Sequence, residues 1–296
     1  MLRNLKKNRL IFGITGNNRK KGINQVLKSI IRYFDSRNVG YCMDKKLDFG
    51  LTGISTKNKV DEKELIKKSD IVISIGGDGT LLNISRIIGS SKIPVIGINL
   101  GTLGFMADIM PDQIPEFFDD ILNGNYKIIE LCLAEYSLDG KVHYNALNEI
   151  VIDKSDSIKM IDLEIYYNND FVGRFYADGV LISTPTGSTG YSLSAGGPIV
   201  TPFSEVFIIT PICPHSLNFR PVIVPDNGNI EIRTLSREKI RVTPDGYKSN
   251  IWKSPVAISI RKAKHKLKVI KSTKWSYFDT LNRKLLWGED IRKGKR

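Results

Sequence analysis

An α/β domain built on a parallel sheet, followed by a β-rich, sandwich-like domain, is the fold class that the sequence predicts. Three observations predict it. In the first third of the chain, continuously apolar runs of strand length alternate with helical patterns, as in a parallel sheet covered on both faces. After Pro111 the texture changes to short alternating runs separated by turn dipeptides, as in a sandwich or an irregular β domain. A length of 296 residues, at roughly 100–200 residues per domain, leaves room for two.

Residues 10–15 read as a first strand, leading through Gly16-Asn17-Asn18 into a helical pattern over 24–34. A short helix over 61–68, a strand over 71–75, a helix over 80–88 and a strand over 93–98 complete a first domain, residues 1–110. An amphipathic helix over 112–122 opens the second domain, residues 111–272. Asp139-Gly140 and Asn169-Asp170 read as hairpin turns there, and Asp226-Asn227-Gly228 and Asp245-Gly246 as further ones. The closing WSYFDTLNRKLLWG has helical apolar spacing, so residues 273–296 are expected to pack back on the first domain.

The composition, 41% hydrophobic and 25% charged, is that of a globular protein with a sizeable core. No stretch reaches the ~18 uncharged apolar residues of a membrane span. The N-terminus is basic, but its apolar run is strand-length and no small-residue cleavage site follows, which disfavours a signal peptide. Cys42, Cys132 and Cys213 form neither a disulfide framework nor a metal pattern, which fits a cytoplasmic location. Asn83-Ile84-Ser85 is a chance match to a glycosylation acceptor.

The formal charge of +13 suits a polyanionic partner: nucleic acid, an anionic membrane or nucleotides. The densest basic run, residues 260–271, alternates Lys262, Lys264, Lys266 and Lys268 with Ala263, His265, Leu267 and Val269. It reads as one strand with a solvated face. No aromatic residues interleave it for base stacking, so no nucleic-acid partner is expected.

The stretch IVISIGGDGTLLNIS, residues 71–85, ends a buried strand on Gly76 and Gly77, then places Asp78 before Gly79 and Thr80. Beyond a strand's carboxyl end, glycines let backbone N–H groups approach a phosphate, and the next helix N-terminus favours the anion. A carboxylate there is repelled by phosphate unless it holds a cation or takes a proton from an attacking hydroxyl, both kinase roles. Taken alone, the turn is equally well explained by Asp78 capping the helix. Asp48-Phe49-Gly50 spells a protein-kinase metal triplet, but no HRD, GxGxxG or VAIK pattern accompanies it, and GITGNNRKKG lacks the spacing of a phosphate loop.

Three more stretches resist explanation by folding alone. INLGTLGFMAD leaves a strand through Asn99, Gly101 and Gly104 to Phe105. NALNEIVI places Asn148 and Glu149 side by side at the start of an apolar strand, where one of the two would face inward unless the backbone bends. DGVLISTPTGSTGYSLSAGGPIV, residues 178–200, is too polar and glycine-rich for a core; its hydroxyls and N–H groups suit a small ligand.

In the order GGDGT, NLGTLGF, NE, DGVLISTPTGSTGYSLSAGGPI, TPICPHSLNFRP and YFDTLNRKLLWG, these stretches resemble the NAD kinases, from residue 71 almost to the end. GGDGT alone is shared with phosphofructokinases and with diacylglycerol or sphingosine kinases; the stretch from Asp178 is far more specific. The resemblance implies a Rossmann-like domain joined to a β-rich, NAD-binding domain, with the site in the cleft between them. It implies phosphorylation of the 2′-hydroxyl of the adenosine ribose of NAD, with Mg²⁺ or another divalent cation and with ATP, or another donor such as polyphosphate. It also implies a homodimer or homotetramer, with no membrane partner.

The resemblance casts Asp78 as general base and has Gly76, Gly77 and Gly79 cradle the donor phosphates or the dinucleotide. Asn148 and Glu149 would bind the ribose hydroxyls and adenine side, Asp178 the nicotinamide half, and Thr189, Tyr191 and Ser194 the adenine pocket. Gly190 stands where alanine is usual, Tyr176 where a basic residue is frequent and Tyr247 where glutamine is common, with Lys159 supplying the lost positive charge. No residue is assigned to the metal. The alternatives are a lipid kinase sharing GGDGT and, from another class, a non-catalytic basic protein that binds nucleic acid.

Overall fold

The computed structural model describes residues 10–47, 58–138 and 140–287, without the side chains of 142 and 143. The Asp48-Phe49-Gly50 triplet, Asp139 of an expected turn, the basic residues 1–9 and the last residues, 288–296, lie outside it.

The described elements open with β1 (Ile11–Gly16) and α1 (Ile23–Ser36). Helix α1 buries Ile23, Val26, Leu27, Ile30, Ile31 and Phe34, a single stripe at helical spacing. Strands β2 (Gly40–Asp44) and β3 (Lys59–Val60) follow, and α2 (Glu62–Lys68) starts where the Asp61 carboxylate accepts the Glu64 N–H at 2.9 Å. Next come β4 (Ile71–Gly76), buried throughout, α3 (Asp78–Ile88), β5 (Val95–Asn99), α4 (Ile114–Leu122) and β6 (Tyr126–Leu131).

The β-rich part runs through β7 (Ala134–Leu138), β8 (Lys141–Ala146), β9 (Glu149–Asp153), β10 (Ile161–Tyr167), β11 (Asp170–Ala177) and β12 (Gly179–Ser183). After the short α5 (Tyr191–Ser194) it continues with β13 (Val206–Ile212), β14 (Val222–Pro225), β15 (Ile230–Thr234), β16 (Lys239–Pro244), β17 (Asn250–Lys253) and β18 (Val256–Lys262). Strand β19 (Leu267–Ser272) and α6 (Tyr277–Leu285) close the chain.

Two compact units result: residues 1–129 with 268–296, and residues 130–267. The first division falls beyond Pro111 because α4 packs with the first sheet: Ile114, Phe117, Phe118 and Ile121 share a core with Phe12 and Phe34. The first unit holds a sheet in the order β3-β2-β1-β4-β5-β19-β6, in which β1 pairs in parallel with both β2 and β4, and β4 with β5. Strand order reverses between β1 and β4, so the carboxyl end of β4 lies at a topological switch point, where open α/β sheets bind ligands.

The second unit stacks two antiparallel sheets, β11-β10-β15-β18-β7-β8 and β14-β13-β12-β9-β16-β17. Their inner faces form one core: Ile150, Ile152, Val180, Ile182 and Phe207 of one sheet with Tyr136, Leu163, Ile232 and Ile260 of the other. The expected α/β-plus-sandwich architecture is therefore present. Among the described residues no helix is long and apolar enough to cross a membrane, and all three cysteines are free thiols.

Three local expectations are corrected. The turn joining β10 to β11 is Asn168-Asn169, at φ 51° and 72°, one residue earlier than expected, because both central residues of this tight hairpin need positive φ. Asp226-Asn227-Gly228 connects strands of different sheets and so closes no hairpin. The basic run 260–271 is two strands, β18 and β19, interrupted at 263–266 where the chain leaves one sheet for another. Its lysines are also not uniformly solvated: Lys262 pairs with the buried Asp226 at 2.7 Å, and Lys271 is buried.

Candidate active site

In the first unit, β4 delivers its terminal Gly76 to a sharp strand-to-helix turn. A Cβ on Gly76 would lie 2.1 Å from Thr80 Oγ1, so the close approach of the turn to α3 requires glycine. Around Gly77 and Gly79 the situation is opposite: a Cβ at either would meet no atom within 4 Å, leaving open space beside the helix N-terminus.

Asp78 is not the helix cap. Gly77 occupies that position without any side-chain cap bond, and Asp78 is the first helical residue. Its carboxylate turns instead to the loop after β5: Oδ2 accepts the Phe105 N–H at 2.8 Å, while Oδ1 accepts those of Met106 at 3.0 Å and Ala107 at 2.9 Å. An ionised carboxylate offers about four lone-pair positions. Three are thereby engaged, and the remaining one belongs to Oδ2.

Asn99 shapes the same loop, donating to the carbonyls of Thr102 at 2.7 Å and Ala107 at 3.0 Å and accepting the Gly101 N–H at 2.8 Å. Gly104 is required by contact, since its Cβ would stand 2.3 Å from Asp78 Oδ1. A cavity of about 350 Å³ elsewhere in this unit is lined by Leu103, Asp108, Trp275, Asp279 and Arg283, among others, and reaches neither Asp78 nor the glycines.

In the second unit, Asn148 precedes β9 and Glu149 begins it. The backbone does bend here. The Asp245 carboxylate, at the β16–β17 turn, accepts N–H bonds from Leu147 at 2.7 Å, Asn148 at 2.8 Å and Glu149 at 3.1 Å. From the other side Thr184 donates its N–H to the Asn148 carbonyl at 2.8 Å and its hydroxyl to that of Leu147 at 2.5 Å. Gly187 passes so close that a Cβ would lie 2.1 Å from the Asn148 carbonyl oxygen.

This scaffold leaves three buried polar atoms without a hydrogen-bond partner: Asn148 Oδ1, Glu149 Oε2 and Thr186 Oγ1. Buried polar atoms are nearly always bonded, so unsatisfied ones on the adjacent residues Asn148 and Glu149 suit hydrogen bonds to a ligand. Gly190 faces them: a Cβ there would meet Glu149 Oε2 at 3.2 Å and Asn148 Nδ2 at 3.5 Å. A cavity of about 460 Å³ is lined by Glu149, Val151, Asp153, Tyr191, Arg241 and Lys248, among others.

Burial pushes Glu149 up to about 7 and the nearby Asp245 carboxylate adds to the rise, against a smaller opposing effect of the Tyr191 N–H. The folded state therefore binds this proton more tightly than the unfolded chain. Its contribution to stability is complete below the ordinary value of 4.5 and is lost as pH rises to about 7. Glu149→Gln, which cannot ionise, is expected to gain on wild type by on the order of 3 kcal/mol between pH ~4.5 and pH ~8. Parallel urea-unfolding stabilities across that range would contradict it.

The other sequence-predicted residues of this unit are placed as follows. Tyr191 starts α5 and is 44% exposed. Thr189 donates its hydroxyl to the Thr186 carbonyl at 3.4 Å, and Ser194 is exposed at the end of α5. Asp178 pairs with Lys154 at 2.7 Å. Tyr176 and Tyr247 are exposed, the latter with the Lys248 ammonium 5.7 Å from its ring centre. Lys159 is exposed and stands 3.9 Å from Glu238.

Two features escape a reading of the residues alone: Asp245 as the acceptor that holds this bend, and Lys271 as a buried charge. The first was hidden because Asp-Gly already explains a turn. The second had a legible signal: Lys271 falls on the apolar parity of its run, with Leu267 and Val269, where a charge is out of place.

Two family models match the chain: the ATP-NAD kinase N-terminal domain over residues 12–126 and the ATP-NAD kinase C-terminal domain over residues 147–272. A protein of Cytophaga hutchinsonii named NAD kinase is 41% identical over 238 residues, 79% of this chain and 80% of that protein. A NAD kinase of Flavobacterium johnsoniae is 36% identical over 287 residues, 90% of this chain and 94% of that protein. Among solved structures, yeast NADH kinase complexed with NADH superposes with a TM-score of 0.87 at 24% identity, covering 97% of this chain and 90% of that one; at that identity it speaks for the fold alone. An NAD kinase from Archaeoglobus fulgidus in complex with ATP gives a TM-score of 0.75 at 26% identity, covering 94% and 99%.

Proposed function

The chain belongs to the NAD kinase family, and from that premise we propose that it transfers the γ-phosphoryl group of ATP to the 2′-hydroxyl of the adenosine ribose of NAD, with Asp78 as general base. One observation carries the reading. A carboxylate is clamped by three N–H bonds beside an open glycine turn, with a lone pair of Oδ2 left over.

Phosphoryl transfer asks little of a protein beyond positioning and charge stabilisation. The Asp78 and Gly79 N–H groups stand at positions where a helix offers no intrahelical acceptor, and a phosphate suits them. The ribose oxygen attacks the γ-phosphorus, its proton passes to Asp78 Oδ2, and the bond from the γ-phosphorus to the bridging oxygen breaks to release ADP. Because the loop holds the carboxylate in place, no reorganisation is needed when the proton arrives.

Asn148 Oδ1, Glu149 Oε2 and Thr186 Oγ1 suit the hydroxyl groups of the acceptor, and the exposed Tyr191 offers a stacking face to adenine. Among the described residues no group of three or more His, Cys, Asp or Glu side chains converges. A divalent cation such as Mg²⁺, brought with the donor, would neutralise the charge of its phosphates. Three free thiols fit a cytoplasmic location. A homodimer or homotetramer is the expected assembly.

The lipid-kinase alternative is set aside, because both family models and the curated relatives are NAD kinases along most of the chain. The test is NADP formation by the purified protein with NAD, ATP and Mg²⁺, read by a dehydrogenase that accepts only NADP. Turnover is expected. No NADP with either ATP or polyphosphate would overturn the assignment.

A further inference from the structure

Lys271, on β19, is the most deeply buried charged residue among the described residues of the first unit, with 1% of its side chain exposed. Removing an ammonium from water is costly unless it is paired and fully hydrogen-bonded. Its Nζ donates to Asp108 Oδ1 and to the Met106 carbonyl, each at 2.6 Å, and lies 5.1 Å from the centre of the Trp275 ring. A well-packed apolar pair could fill such a site at similar or better stability, so the location of the charge calls for another account.

Both acceptors belong to the segment that clamps Asp78. The Met106 carbonyl and the Ala107 N–H are the two ends of one peptide group. Lys271 Nζ donates to the first at 2.6 Å, and the second donates to Asp78 Oδ1 at 2.9 Å. A cation at the carbonyl end polarises the amide and strengthens the bond made by its N–H.

We propose that Lys271 is a positioning residue for Asp78: its buried ammonium fixes and polarises the Met106–Ala107 peptide group, which holds Oδ1 and leaves the open lone pair of Oδ2 toward the hydroxyl. The proposal rests on the reading of Asp78 as base. The charged groups around this path are Asp108 on the same loop, Lys127 of β6 against the Trp275 ring, and Lys284 of α6 at 5.7 Å from the centre of the Phe105 ring.

The test is kcat of the purified full chain, together with KM for NAD. Lys271→Met combined with Asp108→Asn removes the cation without stranding a buried carboxylate. It is expected to lower kcat by on the order of 10–100-fold and to leave KM within about twofold. Asp108→Asn alone keeps the Lys271 ammonium on the Met106 carbonyl, and its kcat is expected to stay within about threefold of wild type.

A double variant that melts like wild type and keeps kcat overturns the proposal. Should the double variant fail to fold, an Asp108→Asn variant that folds and yet loses kcat by tenfold or more overturns it equally, because the cation on the Met106 carbonyl is still in place. The underlying reading fails separately: activity retained in Asp78→Asn removes the base itself, whereas dependence on Asp78 with no effect of the double variant removes only the role of Lys271.

Discussion

Asp78→Asn is expected to lower kcat by roughly 10²–10⁴-fold, the usual contribution of a general base, while Kd for NAD changes by no more than about threefold. The substitution preserves shape and removes the function. An amide can still accept through its oxygen, but its NH₂ group would face one or more of the N–H donors of Phe105, Met106 and Ala107. Any loosening of the loop adds to the loss, and the melting temperature and NAD affinity separate the two causes. A stable variant that binds NAD and does not turn over identifies the lost proton acceptor. A variant with near-wild-type kcat would restrict Asp78 to holding the loop.

Asp245→Ala is expected to destabilise the protein by about 2–4 kcal/mol and to raise KM for NAD. Three backbone N–H groups lose their common acceptor in a partly buried bend, and each donor left without a partner costs about 1–3 kcal/mol, tempered where water can enter. The bend that sets Asn148 and Glu149 side by side relaxes with it. Removing the carboxylate also removes one of the two causes that raise Glu149, so this glutamate should titrate at lower pH in the variant. Urea unfolding and NAD titration at two pH values check both effects. Unchanged stability would mean that the three N–H bonds do not hold the bend.

The architecture was largely legible because its elements carry local signals: the stripe on α1, the fully apolar β4, the Asp61 cap and the change of texture past Pro111. The extent of the first unit was less so. That α4 belongs to its core depends on Phe117 and Phe118 meeting Phe12 and Phe34, a contact that spacing along the chain does not reveal.

At the site, the glycine turn could be read because a strand, glycines and a helix meet within a few residues. The partners of Asp78 could not, since they are main-chain N–H groups of Phe105, Met106 and Ala107, and backbone donors leave no residue-type signature. The run at 260–271 shows the converse limit. Period-two alternation describes β18 and β19 equally well and says nothing about the point where the chain changes sheets.

The place of β19 bears on how the protein is made. In the first sheet it lies between β5 and β6, yet among the described strands it is the last to leave the ribosome. The nascent amino-terminal segment can assemble β1 to β5 early, and Ile98 finds a bridge partner in Ile109, but the edge of β5 at Val95 stays open, and Asp108 lacks its cation, until residues 269 and 271 have emerged. Such long-range pairings slow folding, and unpaired strand edges invite aggregation in the interval. Synthesis of the whole sandwich therefore separates the first appearance of the glycine turn from the completion of the sheet that supports it.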